Sequence, residues 1–131
     1  MRPMITLSIA CATLLLVSTA YAQSPNPPGI KLDHYQCYRV SPETRFRPQR
    51  VQLTDQFGRS IAGILREAFL CAPVSKNAGE VANKQDHLMC YVVTGGKDAR
   101  KKVEIINQFG KAVVKVGGTN TVCVPSLKKV L

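Results

Sequence analysis

The stretch 33–40, DHYQCYRV, occurs a second time as 86–93, DHLMCYVV. A second block, 51–58 with sequence VQLTDQFG, returns as 103–110 with sequence VEIINQFG, and a Cys-x-Pro block closes each copy. The offset is 53 residues for the first block and 52 for the later ones. Because three blocks recur in the same order, the chain is an internal duplication, and we expect two structurally equivalent halves.

The N-terminal residues 1–22 have the pattern of a secretory signal peptide. Arg2 supplies the positive charge, residues 5–17 are apolar, and Ala20-Tyr21-Ala22 is a small-x-small cleavage site. The apolar stretch is short for a membrane span, which makes an uncleaved anchor the weaker alternative. Residues 23–30 contain three prolines and predict an extended, polar spacer.

The remaining residues, 31–131, are predicted to form a single β domain, with repeat 1 at about 31–76 and repeat 2 at about 86–131. A half of about 45 residues buries too little apolar surface to be stable alone. The two repeats are therefore expected to share one core.

Neither repeat has apolar residues at helical spacing, and short β-branched or aromatic runs alternate with turn residues instead. The pattern predicts an all-β fold, a small disulfide-bonded sandwich or barrel built from two pseudo-symmetric four-stranded repeats. The predicted strands are 34–40, 50–54, 60–65 and 68–72 in repeat 1, and 87–94, 102–106, 112–116 and 121–124 in repeat 2.

Tight hairpin turns are predicted at Asp55-Gln56-Phe57-Gly58 and Asn107-Gln108-Phe109-Gly110. Asp or Asn opens each turn and Gly can supply a positive φ at its end. For the two phenylalanines we favour packing at the end of the core, and a pair of exposed rings that stacks on sugar or base is the alternative.

Four cysteines remain once the signal peptide is removed: Cys37, Cys71, Cys90 and Cys123. An even number in an exported chain predicts two disulfides and a secreted or periplasmic location. All three connectivities agree with the repeat symmetry. We favour the simplest of the three, in which each repeat forms its own disulfide.

The two His-x-x-Cys units, His34 with Cys37 and His87 with Cys90, could together offer two imidazoles and two thiolates to a metal ion. Zinc needs thiolates, whereas export favours disulfides, so we expect no metal and no other cofactor. The histidines occupy equivalent positions in the repeats, which indicates a role in the fold. No nucleophile elbow or distinctive carboxylate pair is present, and we expect a protein that is not an enzyme, with a cell-envelope hydrolase as the weakest alternative.

The chain is strongly basic. Without Arg2 it holds 17 basic and 8 acidic residues, a formal net charge of +9. This balance favours an anionic envelope surface or extracellular polymer as partner, with nucleic acid also open, while charge that serves solubility alone is the plainer interpretation. We expect a monomer with no transmembrane segment after signal cleavage.

Basic residues gather between the first and second strands of both repeats, although the sequences of these two loops differ. Arginine can bind phosphate or carboxylate through two hydrogen bonds, and lysine acts as a point charge. The sequence therefore predicts a non-enzymatic binding or adhesion module, with a purely structural module as the alternative. The candidate anion-binding residues are Arg45, Arg47 and Arg50 in repeat 1 and Lys97, Arg100, Lys101 and Lys102 in repeat 2.

Taken together, the blocks resemble a family of bacterial secreted proteins with a domain of unknown function. Its pattern is His-x-x-Cys-Tyr, then Val-x-Leu-x-Asp-Gln-Phe-Gly, then Leu-Cys-x-Pro-x-x-Lys. Repeat 2 departs mildly from it at Ile105, Asn107 and Val122. The resemblance covers most of the mature domain and implies an exported bacterial domain, with no known activity or ligand attached. The matching residues are His34, Cys37, Tyr38, Val51, Leu53, Asp55, Gln56, Phe57, Gly58, Leu70, Cys71, Pro73 and Lys76 in the first copy, and His87, Cys90, Tyr91, Val103, Gln108, Phe109, Gly110, Cys123, Pro125 and Lys128 in the second.

Overall fold

A computed structural model describes residues 32–131, and the predicted signal peptide and spacer lie outside the described residues. The described chain is all-β, as expected, and none of its segments forms a helix that could cross a membrane. Its strands are β1 (His34–Arg39), β2 (Gln49–Asp55), β3 (Gly58–Val74), β4 (His87–Thr94), β5 (Asp98–Asn107), β6 (Gly110–Gly118) and β7 (Thr121–Ser126).

Five of these strands form one antiparallel sheet. Its path is β1-β3-β4-β7. Strand β2 also pairs with β3: β1 pairs with the C-terminal part of β3 and β2 with its N-terminal part. Strands β5 and β6 form a separate two-stranded sheet. The pairing of β3 with β4 joins the two repeats edge to edge.

The repeats have the same topology but a different number of strands. β1 corresponds to β4 and β2 to β5, while the long β3 corresponds to β6 and β7 together. An equivalent hydrogen bond marks the correspondence: Val40 N donates to Ala68 O at 3.2 Å in repeat 1, and Val93 N donates to Asn120 O at 3.1 Å in repeat 2. Repeat 1 thus has three strands instead of the expected four.

The reason lies in one four-residue segment. Residues 65–68, LREA, continue through β3, with two register shifts against β4 between Ile64 and Phe69. In the equivalent segment of repeat 2, 117–120 with sequence GGTN, β6 ends at Gly118, and Thr119 and Asn120 separate it from β7. Glycine and asparagine are poor strand residues, and among the described strands none lies beside β6 and β7 in the way that β4 lies beside β3.

Both predicted hairpin turns are present. Phe57 N donates to the Asp55 carboxylate at 2.7 Å, and Phe109 N donates to the Asn107 side-chain oxygen at 2.8 Å. Gly58 and Gly110 follow with φ of +121° and +119°, a conformation that costs a residue with a Cβ atom about 1–2 kcal/mol. The Asp/Asn and Gly of the repeated tetrapeptide are therefore explained by the turn itself.

Each disulfide joins two directly opposed residues within one repeat. Cys37 pairs with Cys71 and Cys90 with Cys123, with Cα atoms 3.9 Å apart in both cases. This is the simplest of the three connectivities, as expected. Cys71 Sγ lies 3.6 Å from Cys90 Sγ, so the two disulfides are neighbours across the junction between the repeats.

The core crosses the same junction. Ala62 and Ile64 of β3 and Val93 of β4 are buried together, and Phe46 and Tyr91 pack against them with ring centroids 5.3 Å apart. Because residues from both repeats are needed to bury this cluster, the halves share one core.

The β5–β6 hairpin contacts the rest of the fold at its base and at its tip, while most of its residues are exposed. At its base, the side chain of Lys97 covers Gly58 at the start of β3, and at its tip Phe109 reaches Lys76 just beyond the end of β3. The large sheet stays open at β1 and β7 among the described strands. Of the two expected architectures, the fold is consistent with the small disulfide-bonded sandwich, and its open edges do not fit a closed barrel.

Candidate anion-binding site

The register of the β5–β6 hairpin places two lysines directly opposite each other. Counting outward from the turn, where Asn107 faces Gly110, each step brings one pair together, and Lys102 faces Lys115. Side chains of directly opposed residues lie on the same face of a hairpin, and like charges in this arrangement are destabilising. Both lysines are exposed. The hairpin therefore has a local concentration of positive charge that does not stabilise the pairing of β5 with β6.

These lysines line a groove of about 430 Å³ near the base of the hairpin. Lys101 contributes a third ammonium group, and Asp98 is its only acidic lining residue. The Asp98 carboxylate is already engaged, since Arg100 donates to it from both its backbone N at 3.2 Å and its Nε at 3.1 Å. The groove consequently keeps a net positive charge after its internal ion pair is counted.

Arg100 lies at an irregular point of the strand. Its φ is +47°, and the register shifts between Asp98 and Lys101. The shift is a local bulge, which redirects side chains at the edge of a sheet. Lys101 follows this irregular point and lines the groove together with Lys102.

The other predicted residues lie elsewhere. Lys97 lines a different cavity of about 380 Å³, between the β2–β3 turn and the base of the hairpin. Arg50 belongs to β2, and Arg45 and Arg47 lie in the preceding loop, all three exposed. Neither this cavity nor the basic groove is lined by these arginines. The structure thus brings together Arg100, Lys101 and Lys102 and does not join them to the arginines of repeat 1.

Lys115 was missed by sequence reasoning because only the loops were searched for basic residues. The signal that could have found it is the predicted turn: a hairpin closed by Asn107 and Gly110 places residues 102 and 115 opposite each other. Lys111 was missed for the same reason. Its Nζ lies 2.8 Å from Glu104 Oε2, so these two charges on the hairpin neutralise each other.

The two phenylalanines of the turns differ in their surroundings. Phe57 is half-buried at the cavity near Lys97, whereas the Phe109 ring is 81% exposed. The Lys76 Nζ lies 4.8 Å from the centroid of the Phe109 ring, a cation–π contact, and this ammonium group is buried and makes no hydrogen bond within residues 32–131. The contact holds the hairpin tip against the end of β3.

His87 and the four cysteines of the His-x-x-Cys pattern make contacts within the fold. His87 is buried and its Nδ1 lies 3.1 Å from the Gln85 carbonyl oxygen. The four cysteines described above are all oxidised in disulfides, so they offer no thiolate. Among residues 32–131, no three His, Cys, Asp or Glu side chains come close enough to hold a metal ion.

Asp33 fastens the link between the repeats. Its carboxylate accepts hydrogen bonds from the backbone N of Ala82 at 2.7 Å and of Asn83 at 2.9 Å. These two bonds, Ala82 first, hold the pKa of Asp33 below its ordinary value of 3.8, because they stabilise the ionised form. This carboxylate has a structural task and lies outside the basic groove.

Comparison with known proteins gives one result. No curated protein matches the chain, and no solved structure matches it either. A family model described as a repeat of unknown function, DUF7450, matches residues 2–125, which is nearly the whole chain. The duplicated, disulfide-bonded all-β chain therefore belongs to this family of repeats of unknown function.

Proposed function

We propose that this protein is an exported, non-enzymatic binding module for an anionic polymer of the cell envelope or extracellular space. The observation that carries the proposal is the groove in which Lys102 faces Lys115 with Lys101 beside them. Two opposed ammonium groups repel each other, and a bound phosphate, sulfate or carboxylate group between them converts that repulsion into attraction.

The shape of the site favours an extended ligand over a small one. The groove is open and lies on an exposed hairpin, and its lysines have no fixed geometry for one particular anion. Lysine ammonium groups act as hydrated point charges on flexible side chains, so they can bind a charged polymer backbone without requiring a specific geometry. The formal net charge of +9 that remains without Arg2 attracts such a polymer over a longer range.

Export is the second part of the proposal. The signal-peptide pattern of residues 1–22 supports it, and two structural disulfides are compatible with a periplasmic or extracellular location. The resemblance of the repeated His-x-x-Cys-Tyr, Asp-Gln-Phe-Gly and Leu-Cys-x-Pro-x-x-Lys blocks to bacterial secreted proteins points to the same compartment. The proposed activity needs no free thiol, so it is compatible with an oxidising location.

The test neutralises the groove and compares it with a matched control. In Lys102→Gln/Lys115→Gln, two charges are removed from the groove, and in Lys128→Gln/Lys129→Gln the same two charges are removed from the exposed C-terminal segment. Retention on a heparin column is measured as a function of salt. We expect the groove variant to elute at clearly lower salt than the control variant, with a salt dependence that is smaller by about two counterions.

Stability gives an independent check. Since the opposed lysines repel each other, the groove variant is expected to be as stable as the parent, or more stable by roughly 0.2–1 kcal/mol. Loss of binding without loss of stability separates a binding role from a folding role. Equal retention of both variants would reject the groove as the site, and a third variant, Arg45→Gln/Arg47→Gln, then shows whether the arginine loop of repeat 1 binds instead.

A further inference from the structure

Strands β1 and β7 lie at opposite edges of the large sheet, and β2 shares the edge of β1. Within residues 32–131, β1 pairs with β3 alone and β7 pairs with β4 alone. Exposed strand edges of this kind carry free backbone N–H and C=O groups and are templates for the addition of another strand.

The pairing of β3 with β4 inside the chain shows which strand could pair with each free edge. At the junction inside the molecule, β3 pairs with β4 so that Phe69 faces Cys90, Leu70 faces Met89 and Cys71 faces Leu88. The equivalent of this part of β3 in repeat 2 is β7, and the equivalent of β4 in repeat 1 is β1. The two free edges are thus copies of the two edges that already pair within the chain.

We propose that the protein assembles head to tail, with β1 of one copy added to the free edge of β7 of another. The register of the internal junction then places Thr121 opposite Cys37 of the second copy, Val122 opposite its Gln36, and Cys123 opposite its Tyr35. The occupant of the edge is therefore a second copy of this chain, and this proposal differs from the expected monomer.

The backbone groups of both edges point in the required direction. Cys37 faces Cys71, and Cys90 faces Cys123, with Cα atoms 3.9 Å apart, and such close pairs are the non-hydrogen-bonded pairs of an antiparallel ladder. The N–H and C=O of Cys37 therefore point away from β3, and those of Cys123 point away from β4. Every second residue along each strand, including Arg39 and Thr121, shares this outward orientation.

The exposure of the cysteines supports the same continuation. Cys71 and Cys90, which meet at the internal junction, are each 3% exposed, while Cys37 and Cys123 at the free edges are exposed. Tyr38 on β1 is 53% exposed, whereas its equivalent Tyr91 is half-buried. Addition of a second copy gives the outer residues the surroundings that their equivalents already have.

The contact joins two different edges, so it leaves one free β1 and one free β7 at the ends of every assembly. Such heterologous contacts generate open chains unless the rotation between copies closes a ring. Chains of several copies are expected to form, and dimers alone are not.

The experiment measures the weight-average mass of the purified protein by sedimentation equilibrium. The wild type is expected to show a mass that rises beyond the dimer as its concentration increases from about 10 µM to about 1 mM, the range of weak specific contacts. Thr121→Pro removes an outward N–H from β7, and Arg39→Pro removes one from β1. Thr121→Ala and Arg39→Ala keep the N–H and serve as matched controls.

A mixture of the two proline variants tests whether the contact is head to tail. Each proline variant alone is expected to remain a monomer, because one of its two edges is blocked. A one-to-one mixture pairs the intact β7 of the Arg39→Pro variant with the intact β1 of the Thr121→Pro variant, so it should form dimers and nothing larger. The alanine variants should assemble like the wild type.

Three results overturn the proposal. One is a wild type that stays monomeric at about 1 mM, a concentration that captures even weak contacts and needs no variant to fold. The others are proline variants that are folded by circular dichroism and still assemble like the wild type, and a mixture of folded proline variants that contains no dimer.

Discussion

The two disulfides allow a quantitative test of whether the repeats contribute equally to stability. Cys37→Ala/Cys71→Ala removes the first disulfide and Cys90→Ala/Cys123→Ala removes the second. Each double variant replaces one buried and one exposed cysteine, so the loss of side-chain packing is matched. What differs between them is the position of the closed loop in the fold.

The magnitude follows from the loop lengths. The disulfides span 34 and 33 residues along the chain. In the chain-entropy model, closing a loop of this size stabilises the folded state by about 3.7 kcal/mol at 25 °C, and the two values agree within about 0.1 kcal/mol. The loops do not overlap in sequence, so the two contributions should add to roughly 7.5 kcal/mol, which is comparable to the whole stability of many domains.

Urea unfolding followed by circular dichroism gives the free energy of each variant. Both double variants should fold and each should lose about 3–4 kcal/mol, while the variant without both disulfides should be largely unfolded at 37 °C. A loss below about 1 kcal/mol in either variant would refute the entropic account. A large difference between the two would show that the repeats do not contribute equally.

Two further predictions rest on single residues. Gly110→Ala and Gly58→Ala should each cost about 1–2 kcal/mol because of their positive φ. The Lys97 ammonium group beside Gly58 is the end of a flexible side chain and can move aside, so similar thermal shifts are expected, and a much larger loss for either variant would contradict this. Asp33 has a lowered pKa in the folded state, so its contribution to stability is present above the ordinary value of 3.8 and is lost as the pH falls through the lowered folded value. Asp33→Asn should therefore be less stable than the parent at pH 7 and lose less stability than the parent on acidification, and an unchanged acid transition in urea melts would speak against the two backbone hydrogen bonds as its cause.

The sequence predicts best the features whose chemistry is local and duplicated. An Asx residue followed two positions later by Phe and then Gly determines each hairpin turn, and the first strands and the cysteines follow from the repeated blocks. Simplicity could favour one disulfide pairing, but symmetry allowed every connectivity and could not choose among them. The register of the sheet supplies the reason for the observed pairing, because Cys37 and Cys71 are directly opposed residues of adjacent strands.

Other features depend on neighbours that a local pattern does not contain. Residues 66–67 were expected to separate two strands of repeat 1, yet pairing with β4 keeps β3 continuous, whereas Thr119 and Asn120 separate β6 from β7. One of the four basic residues that line the groove was missed for a similar reason. Lys102 was recognised within a basic run, but Lys115 lies 13 positions further on and joins it only through the hairpin register.

The positions of the disulfides have a mechanical consequence. If the chain is pulled between residues 32 and 131, each disulfide diverts the force across β1–β3 or β4–β7 and shields its loop from the load. Of about 99 peptide units only about 32 can then lengthen, which limits the extension to about 110 Å instead of about 340 Å. The segment that must yield is the one between Cys71 and Cys90, where β3 and β4 meet. A tethered molecule would therefore open between its repeats while each repeat stays closed.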